Sequence, residues 1–421
     1  MKRIAIVVQR YGAEVNGGAE LHARLLAQAL RPFYEIDVLS SRALDYRHWH
    51  PHYPAGESTL DGCRVIRFDH PPRTRGRQRN LPLRHKLRFL LRGWLPRLGL
   101  RPVAEPAGDE VLDGVRYLRA QGPTMDGLMA HLAQHAADYA ALIFLTARFH
   151  PTALGVLVAP TRSLLVPTLH DEKTMVLPHF HRVFRAPRRI LYNTAAEQAV
   201  ARRLYGDDLA PGEVVGVGIT MPAAQDETAW PALAAKHGLA GRYLIYVGRV
   251  DASKGCDELF DHFARFADRH PEPLQLVVCG KLVMPAPAHA RIVLAGFVDD
   301  AERDALVAHA AALVVPSRHE SLSLVLLESL AQGCPVIVNA GSEVLRRHVQ
   351  DSGVGASYEG FEGFAGAVAR TLALTEAERA DQAERGRRYV AERYGWPRIV
   401  ARYRALIEEI DAGPRNPETP R

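Results

Sequence analysis

Glu320 and Glu328 stand eight positions apart around Ser321-Leu322-Ser323-Leu324, and Arg249 and Lys254 stand five apart on a stretch opened by Gly248. Carboxylates orient hydroxyl groups, and cations close on phosphates. The elements that must position the glutamates can be read from the pattern. Ala312 to Val315 is a short apolar run of buried-strand type, broken at Pro316-Ser317. Ser321 or Ser323 can cap a helix that runs to about Gln332, where Gly333 ends it and Pro335 prevents its continuation. Glu320 then lies in the loop before the helix and Glu328 inside it. The neighbours of Glu328 (Leu324, Val325, Leu326, Leu327, Leu330, Ala331) are apolar on nearly every side, which predicts a buried helix. A buried carboxylate needs a bonding partner. A ribose would serve, and so would a core arginine, in which case Glu320 is a solvated loop residue. The unpaired N–H groups at the start of the helix, from Ser321 to Leu324, suit a phosphate.

The cations have a comparable frame. Tyr243 to Val247 reads as a strand, Gly248-Arg-Val-Asp-Ala-Ser-Lys-Gly255 as its loop, and a helix begins near Asp257. A charge-assisted hydrogen bond contributes roughly 1.5–3 kcal/mol, against roughly 0.3–1 kcal/mol from an exposed helix end. Arg249 and Lys254 should therefore dominate phosphate binding; the bland alternative is a pair of surface charges. Near the start of the chain, residues 3–9 read as a buried strand, followed by a loop with Gly17-Gly18 and an amphipathic helix from about Ala19 to Leu30. Such a loop lets a backbone approach a phosphate, although the dinucleotide fingerprint G-x-G-x-x-G is absent. A later strand, Ser163 to Leu169, ends in His170, and strand carboxyl ends are where open α/β sheets hold ligands. Thr194 with Glu197 reads as a helix-capping pair, structural rather than catalytic.

The glutamate segment, with its Ser-Leu-Ser centre and Gly-Cys-Pro-Val exit, resembles the E-x7-E element of retaining glycosyltransferases of family 4. That family has the GT-B fold, an α/β architecture of two Rossmann-like domains facing across a cleft. The resemblance implies that Glu320 faces the donor sugar, Glu328 bonds the nucleotide ribose, and Arg249 and Lys254 hold the donor phosphates. It implies that Gly17 and Gly18 lie beside the diphosphate and that His170 contacts sugar and phosphate. Val298 would meet the base through its backbone, and Gly341 would lie near sugar and phosphate. The expected domains are 1–220 on the acceptor side and 221–395 on the nucleotide-sugar side, with 396–412 crossing back onto the first and 413–421 a frayed tail. The expected reaction moves a sugar from a nucleotide diphosphate sugar to a hydroxyl of a saccharide or lipid-linked acceptor, with retention. No cofactor is expected. No D-x-D motif occupies a suitable strand end, so metal independence is expected. The rivals are another GT-B enzyme, such as an epimerase or phosphorylase, and a non-catalytic nucleotide-sugar-binding or membrane-scaffold protein.

A chain of 421 residues, 47% hydrophobic and 24% charged, is too long for one ordinary core and points to two domains. Its four scattered cysteines argue against a disulfide framework or zinc site and for a reducing, cytoplasmic setting. The apolar run Ile4 to Val8 is too short for a signal peptide, and no run is long enough to span a membrane. The net charge of +6 is unevenly spread. Residues 73–101 carry ten Arg and Lys and no acid, interleaved with leucines and Trp94. That composition fits an anionic membrane surface or a lipid-linked acceptor, with a solvated insertion as the bland reading. Nucleic acid is disfavoured, because one Trp and one Phe make a poor stacking platform. The aromatic and His-rich loop Asp45 to Tyr53 is either acceptor-facing or a plain surface loop.

Overall fold

Runs of aliphatic and β-branched residues form two parallel sheets in this computed structural model, which describes residues 1–15, 17–73, 108–170, 173–222, 227–270 and 273–413. The chain divides into two compact units, Met1–Gly218 with Ile399–Arg421, and Ile219–Arg398. Each has its own sheet and core.

In the first unit the strands are β1 (Arg3–Val7), β2 (Glu35–Ser41), β3 (Gly56–Leu60), β4 (Cys63–Phe68), β5 (Ala141–Leu145), β6 (Ser163–Val166), β7 (Arg189–Tyr192) and β8 (Gly212–Val214). Their order is β3-β4-β2-β1-β5-β6-β7-β8. All neighbours are parallel except β3 and β4. Ile4 to Val7 and all of β5 are buried, as strands covered on both faces must be. The sequence reading passed over β3, although Asp61-Gly62 carries the hairpin signal: both residues have positive φ, 52° and 76°. Helices α1 (Gly18–Leu30), α2 (Gly108–Gln121), α3 (Asp126–His135), α4 (His150–Val158), α5 (His179–Arg185) and α6 (Ala195–Tyr205) belong to this unit.

The second unit holds β9 (Tyr243–Val247), β10 (Gln275–Cys279), β11 (Ile292–Gly296), β12 (Ala312–Val315), β13 (Val336–Asn339) and β14 (Ala356–Tyr358), in the order β11-β10-β9-β12-β13-β14. Every pairing is parallel. The helices are α7 (Trp230–Lys236), α8 (Cys256–Arg269), α9 (Asp300–Ala308), α10 (Leu324–Gln332), α11 (Glu343–Ser352), α12 (Gly360–Leu372) and α13 (Glu376–Tyr394). The strand order reverses between β9 and β12. Ligands of open α/β sheets bind at such a switch point, outside the strand carboxyl ends. Helix α7 lies near the start of this unit, and its Trp230 ring stacks on His309 at 3.8 Å.

The chain leaves the first unit after Gly218 and returns to it within α14 (Trp396–Ala412). On the second-unit side the two stretches are tied together. The Ile219 N–H donates to the Tyr394 carbonyl at 2.7 Å, and Trp396 Nε1 donates to Thr220 Oγ1 at 3.2 Å. In the first unit α14 buries Ile399, Tyr403, Leu406, Ile407 and Ile410. Its Glu409 meets Arg189 at 2.5 Å, its Asp411 meets Lys2 at 2.7 Å, and its Arg402 meets Glu213.

Candidate active site

The loops after β9 and β12 lie at the switch point, and small residues bring them together. Gly248 has φ of 148° and Gly280, after β10, has φ of 139°. A Cβ on Gly280 would sit 1.9 Å from the Gly248 carbonyl oxygen, so no side chain fits there. At the far end of the loop Gly255 has φ of 74°, and a Cβ on it would lie 2.5 Å from the Pro316 carbonyl oxygen. Only a bare backbone lets the β9 loop press on the β12 loop. Between these glycines Val250 is buried, Asp251 accepts from the Ser253 N–H at 2.8 Å, and Arg249 Nε lies 3.3 Å from Asp251 Oδ2. The outcome is a direct meeting of the two motifs: Lys254 Nζ donates to Glu320 Oε1 at 2.8 Å.

Helix α10 starts at Leu324, directly after one of the two serines that could cap it. Ser323 occupies the N-cap position, but with φ of 73° and ψ of 82°, and its side chain makes no capping bond. A serine in this left-handed region costs about 1 kcal/mol or more. Its hydroxyl is buried without a hydrogen-bond partner. The expectation of an ordinary serine cap is thus corrected: the hydroxyl and the first N–H groups of α10 are left for something else. Gly333 ends the helix as expected, with φ of 84°. The prediction of a helix buried on all sides also needs correction. Leu326, Leu327, Ser329, Leu330 and Ala331 are buried, while Leu324, Val325 and Glu328 are half-buried along one stripe. Burial pushes the Glu328 carboxyl above its ordinary range, opposed by the nearby Arg303 guanidinium. Arg303 spends its hydrogen bonds on Asp300 at 2.7 Å and Asp304 at 2.8 Å, not on Glu328. Among the described residues the carboxylate therefore has a cation near it but no core arginine bonded to it.

Four further expected positions belong to the second unit. Val298 follows β11 beside Phe297, whose ring is 78% exposed. Gly341 follows β13, and its N–H donates to Asn339 Oδ1 at 2.9 Å. Ser321 and Leu322 link Glu320 to Ser323, with Leu322 buried.

Gly17, Gly18 and His170 belong to the first unit. Gly17 precedes α1, and a Cβ on it would meet Glu20 Oε2 at 2.2 Å, whereas Gly18 faces open space. The sequence reading missed the buried cluster beneath them. Arg10 and Glu20 pair at 2.6 Å, Gln9 Nε2 donates to Glu20 Oε1 at 2.9 Å, and Arg10 also donates to the Leu44 carbonyl at 2.7 Å. No sequence spacing announces this cluster, since it forms only when β1 and α1 pack. His170 follows Leu169, whose N–H donates to the buried Glu197 carboxylate. Thr194 does accept from the Glu197 N–H at 3.1 Å, but the Glu197 carboxylate also takes the Asn193 N–H. Burial pushes the Glu197 carboxyl up to about 8, against these N–H bonds. Thr146 and Thr168, at the ends of β5 and β6, both have positive φ and a buried hydroxyl without a partner. Residues 74–101 of the basic segment lie outside the described residues. Among the described residues no three His, Cys, Asp or Glu side chains cluster so as to hold a metal ion, and no helix is long and apolar enough to cross a membrane.

The family model of glycosyl transferases group 1 matches residues 234–389. The chain is 30% identical over 241 residues to D-inositol 3-phosphate glycosyltransferase of Xylanimonas cellulosilytica, covering 52% of this chain and 56% of that protein. It thus spans little more than half of that relative. It is 24% identical to glycogen synthase of Mycobacterium tuberculosis, over 99% of this chain and 97% of the other. Among solved structures, sucrose-phosphate synthase from Thermosynechococcus elongatus superposes with a TM-score of 0.67 at 17% identity, covering 98% of this chain and all of the other. Anabaena HepE in complex with UDP and glucose gives 0.64 at 16% identity, over 97% of this chain and all of the other. The fold is that of the GT-B glycosyltransferases, and residues 234–389 carry the glycosyl transferases group 1 match within it.

Proposed function

We propose that the protein is a retaining glycosyltransferase that moves a hexosyl-type sugar from a nucleotide diphosphate sugar to a hydroxyl of a saccharide or lipid-linked acceptor. The observation that supports this best is the meeting of Lys254 and Glu320 at 2.8 Å, beside a helix start that holds a buried, unpartnered serine hydroxyl. A cation and free helix N–H groups suit a diphosphate leaving group, and the carboxylate suits the hydroxyls of its sugar. In this reading the bond from the anomeric carbon to the diphosphate oxygen breaks, and the electron pair stays on that oxygen. The acceptor oxygen bonds the same face of the carbon and gives its proton to the departing phosphate. Arg249, Lys254 and the α10 N-terminus offset the developing negative charge. Glu320 orients the sugar, Glu328 the ribose, and His170 the sugar and phosphate. Phe297 and Val298 border the base. UDP and glucose in HepE support a nucleotide-sugar donor of this kind. The reaction proceeds without a divalent metal. The protein works in the cytoplasm, in polysaccharide or glycolipid synthesis, with residues 73–101 drawing it to an anionic membrane face or a lipid-linked acceptor.

The test is a thermal-shift panel with UDP, GDP, ADP and dTDP, with and without magnesium, repeated on Arg249→Ala. Ligand binding to the native state raises the melting temperature. A shift with one nucleotide, lost in the variant and indifferent to magnesium, is expected. No shift with any of them overturns the donor site. The anomeric configuration of the product, read by NMR, then tests retention.

A further inference from the structure

Behind the Glu320–Ser323 loop lies a buried histidine. His348 of α11 is 3% exposed. Its Nε2 lies 2.9 Å from the Leu322 carbonyl oxygen, and its Nδ1 lies 2.8 Å from the Tyr389 hydroxyl of α13. The Tyr394 ring closes the cluster edge-on, 5.9 Å from the His348 ring centre. Burial pushes the imidazole down to about 4, so it is neutral at pH 7 and carries one N–H. A carbonyl can only accept. The proton therefore sits on Nε2 and is donated to Leu322, and Nδ1 accepts from Tyr389.

This bond fixes more than a carbonyl. A trans peptide is planar, and its C=O and N–H point in opposite directions. With the Leu322 carbonyl held inward on His348, the N–H of Ser323 must point the other way. No described residue accepts a hydrogen bond from that N–H. The Ser323 hydroxyl, also without a partner, stands beside it at the start of α10. Rotating this peptide by half a turn would relieve the left-handed φ of 73° at Ser323. It would also put a carbonyl oxygen where an anion is to bind. Serine has a reason to flip here that glycine would lack.

We propose that His348 is a positioning residue that locks the Leu322–Ser323 peptide in the orientation presenting the Ser323 N–H to an anion at the α10 N-terminus. That the anion is a donor diphosphate rests on the function proposed above. The test uses the full chain and four variants. His348→Leu removes both bonds, His348→Gln keeps a donor near the Nε2 position, and Tyr389→Phe removes the support behind the ring. Phe364→Leu, in the core of the same unit, serves as a control of general loosening. Two quantities are read: hydrogen exchange of residues 320–327 without ligand, and affinity for UDP, GDP, ADP and dTDP. His348→Leu should speed loop exchange and weaken nucleotide binding by about tenfold each, the worth of one good hydrogen bond. His348→Gln should recover most of both, Tyr389→Phe should fall between, and Phe364→Leu should move neither. Loop exchange in His348→Leu no different from Phe364→Leu overturns the lock, and so does an affinity no different from it when the parent binds a nucleotide. Faster exchange as described, in a parent protein that binds none of the four nucleotides, upholds the lock and overturns the donor reading instead.

Discussion

Replacing either partner of the Lys254–Glu320 pair should change the affinity for a free nucleoside diphosphate in opposite directions. Lys254 is spent on Glu320 at 2.8 Å, with side chains 38% and 14% exposed. At that exposure solvent screens the pair, and its net contribution is about 1 kcal/mol. A diphosphate must draw Lys254 away and settle near a carboxylate of the same sign. Glu320→Gln removes both obstacles while keeping shape, so nucleotide should bind about fivefold tighter, equivalent to about 1 kcal/mol. Lys254→Met loses a charge-assisted bond of roughly 1.5–3 kcal/mol and leaves the carboxylate to repel the ligand. Binding should weaken by roughly 10- to 100-fold. The double variant should lie between them. Under the proposed function sugar transfer should fall in all three, since Glu320 is placed there on the sugar and Lys254 on the leaving diphosphate. Isothermal titration with UDP, GDP, ADP and dTDP at two salt concentrations measures this, and the difference between variants should shrink at high salt. Weaker nucleotide binding by Glu320→Gln would refute the reasoning, because it would make the carboxylate a nucleotide ligand rather than a competitor for Lys254.

Gly280→Ala should destabilise the second unit by several kcal/mol, because its Cβ would meet the Gly248 carbonyl at 1.9 Å and its φ is 139°; a urea midpoint within experimental error of the parent would contradict the close approach. The first unit should lose stability below pH 6.5. Burial holds His22 and His150 at about 4 and His179 at about 3, so unfolding takes up three protons there, while Glu197, raised to about 8, gives one back. The net uptake is about two protons, or about 2.7 kcal/mol per pH unit near pH 5.5. Pulsed proteolysis of that unit against pH reads the slope, and a flat profile from pH 6.5 to 4.5 would rule it out. Charge reversal at Arg84, Arg88 and Arg92 should weaken co-sedimentation with anionic vesicles, and unchanged sedimentation would remove the membrane role of that segment.

What could be read in the sequence was local. Strand, break, helix and stop around Glu320 and Glu328 are set by residues within one turn of each other, as is the Gly248–Gly255 loop. Parallel neighbours β9 and β12 release those loops at one edge, and there Lys254 meets Glu320, a pairing that no spacing announces. What could not be read needed distant partners. Ser323 carries the chemistry of a capping residue, and only the carbonyl anchor on His348 shows why it sits at positive φ without capping. Arg10 and Glu20 look like solvated charges until β1 and α1 close on them. The helix of Glu328 looked buried all round because its open stripe is lined by Leu324 and Val325, apolar residues facing a half-open edge. The hairpin signal at Asp61-Gly62 is legible, but β3 before it is polar and mostly exposed and carries no apolar strand pattern.

The double crossing of the chain has a consequence for synthesis. The first unit needs Ile399, Tyr403, Leu406 and Ile407 from α14 to finish its core. Those residues leave the ribosome only after the whole of Ile219–Arg398. At roughly 5–20 residues per second, the first unit waits on the order of ten to forty seconds with that seat empty. The second unit is continuous in sequence and has no such wait. It is the unit able to fold first, while the earlier-made one stands open to chaperones until its last helix arrives.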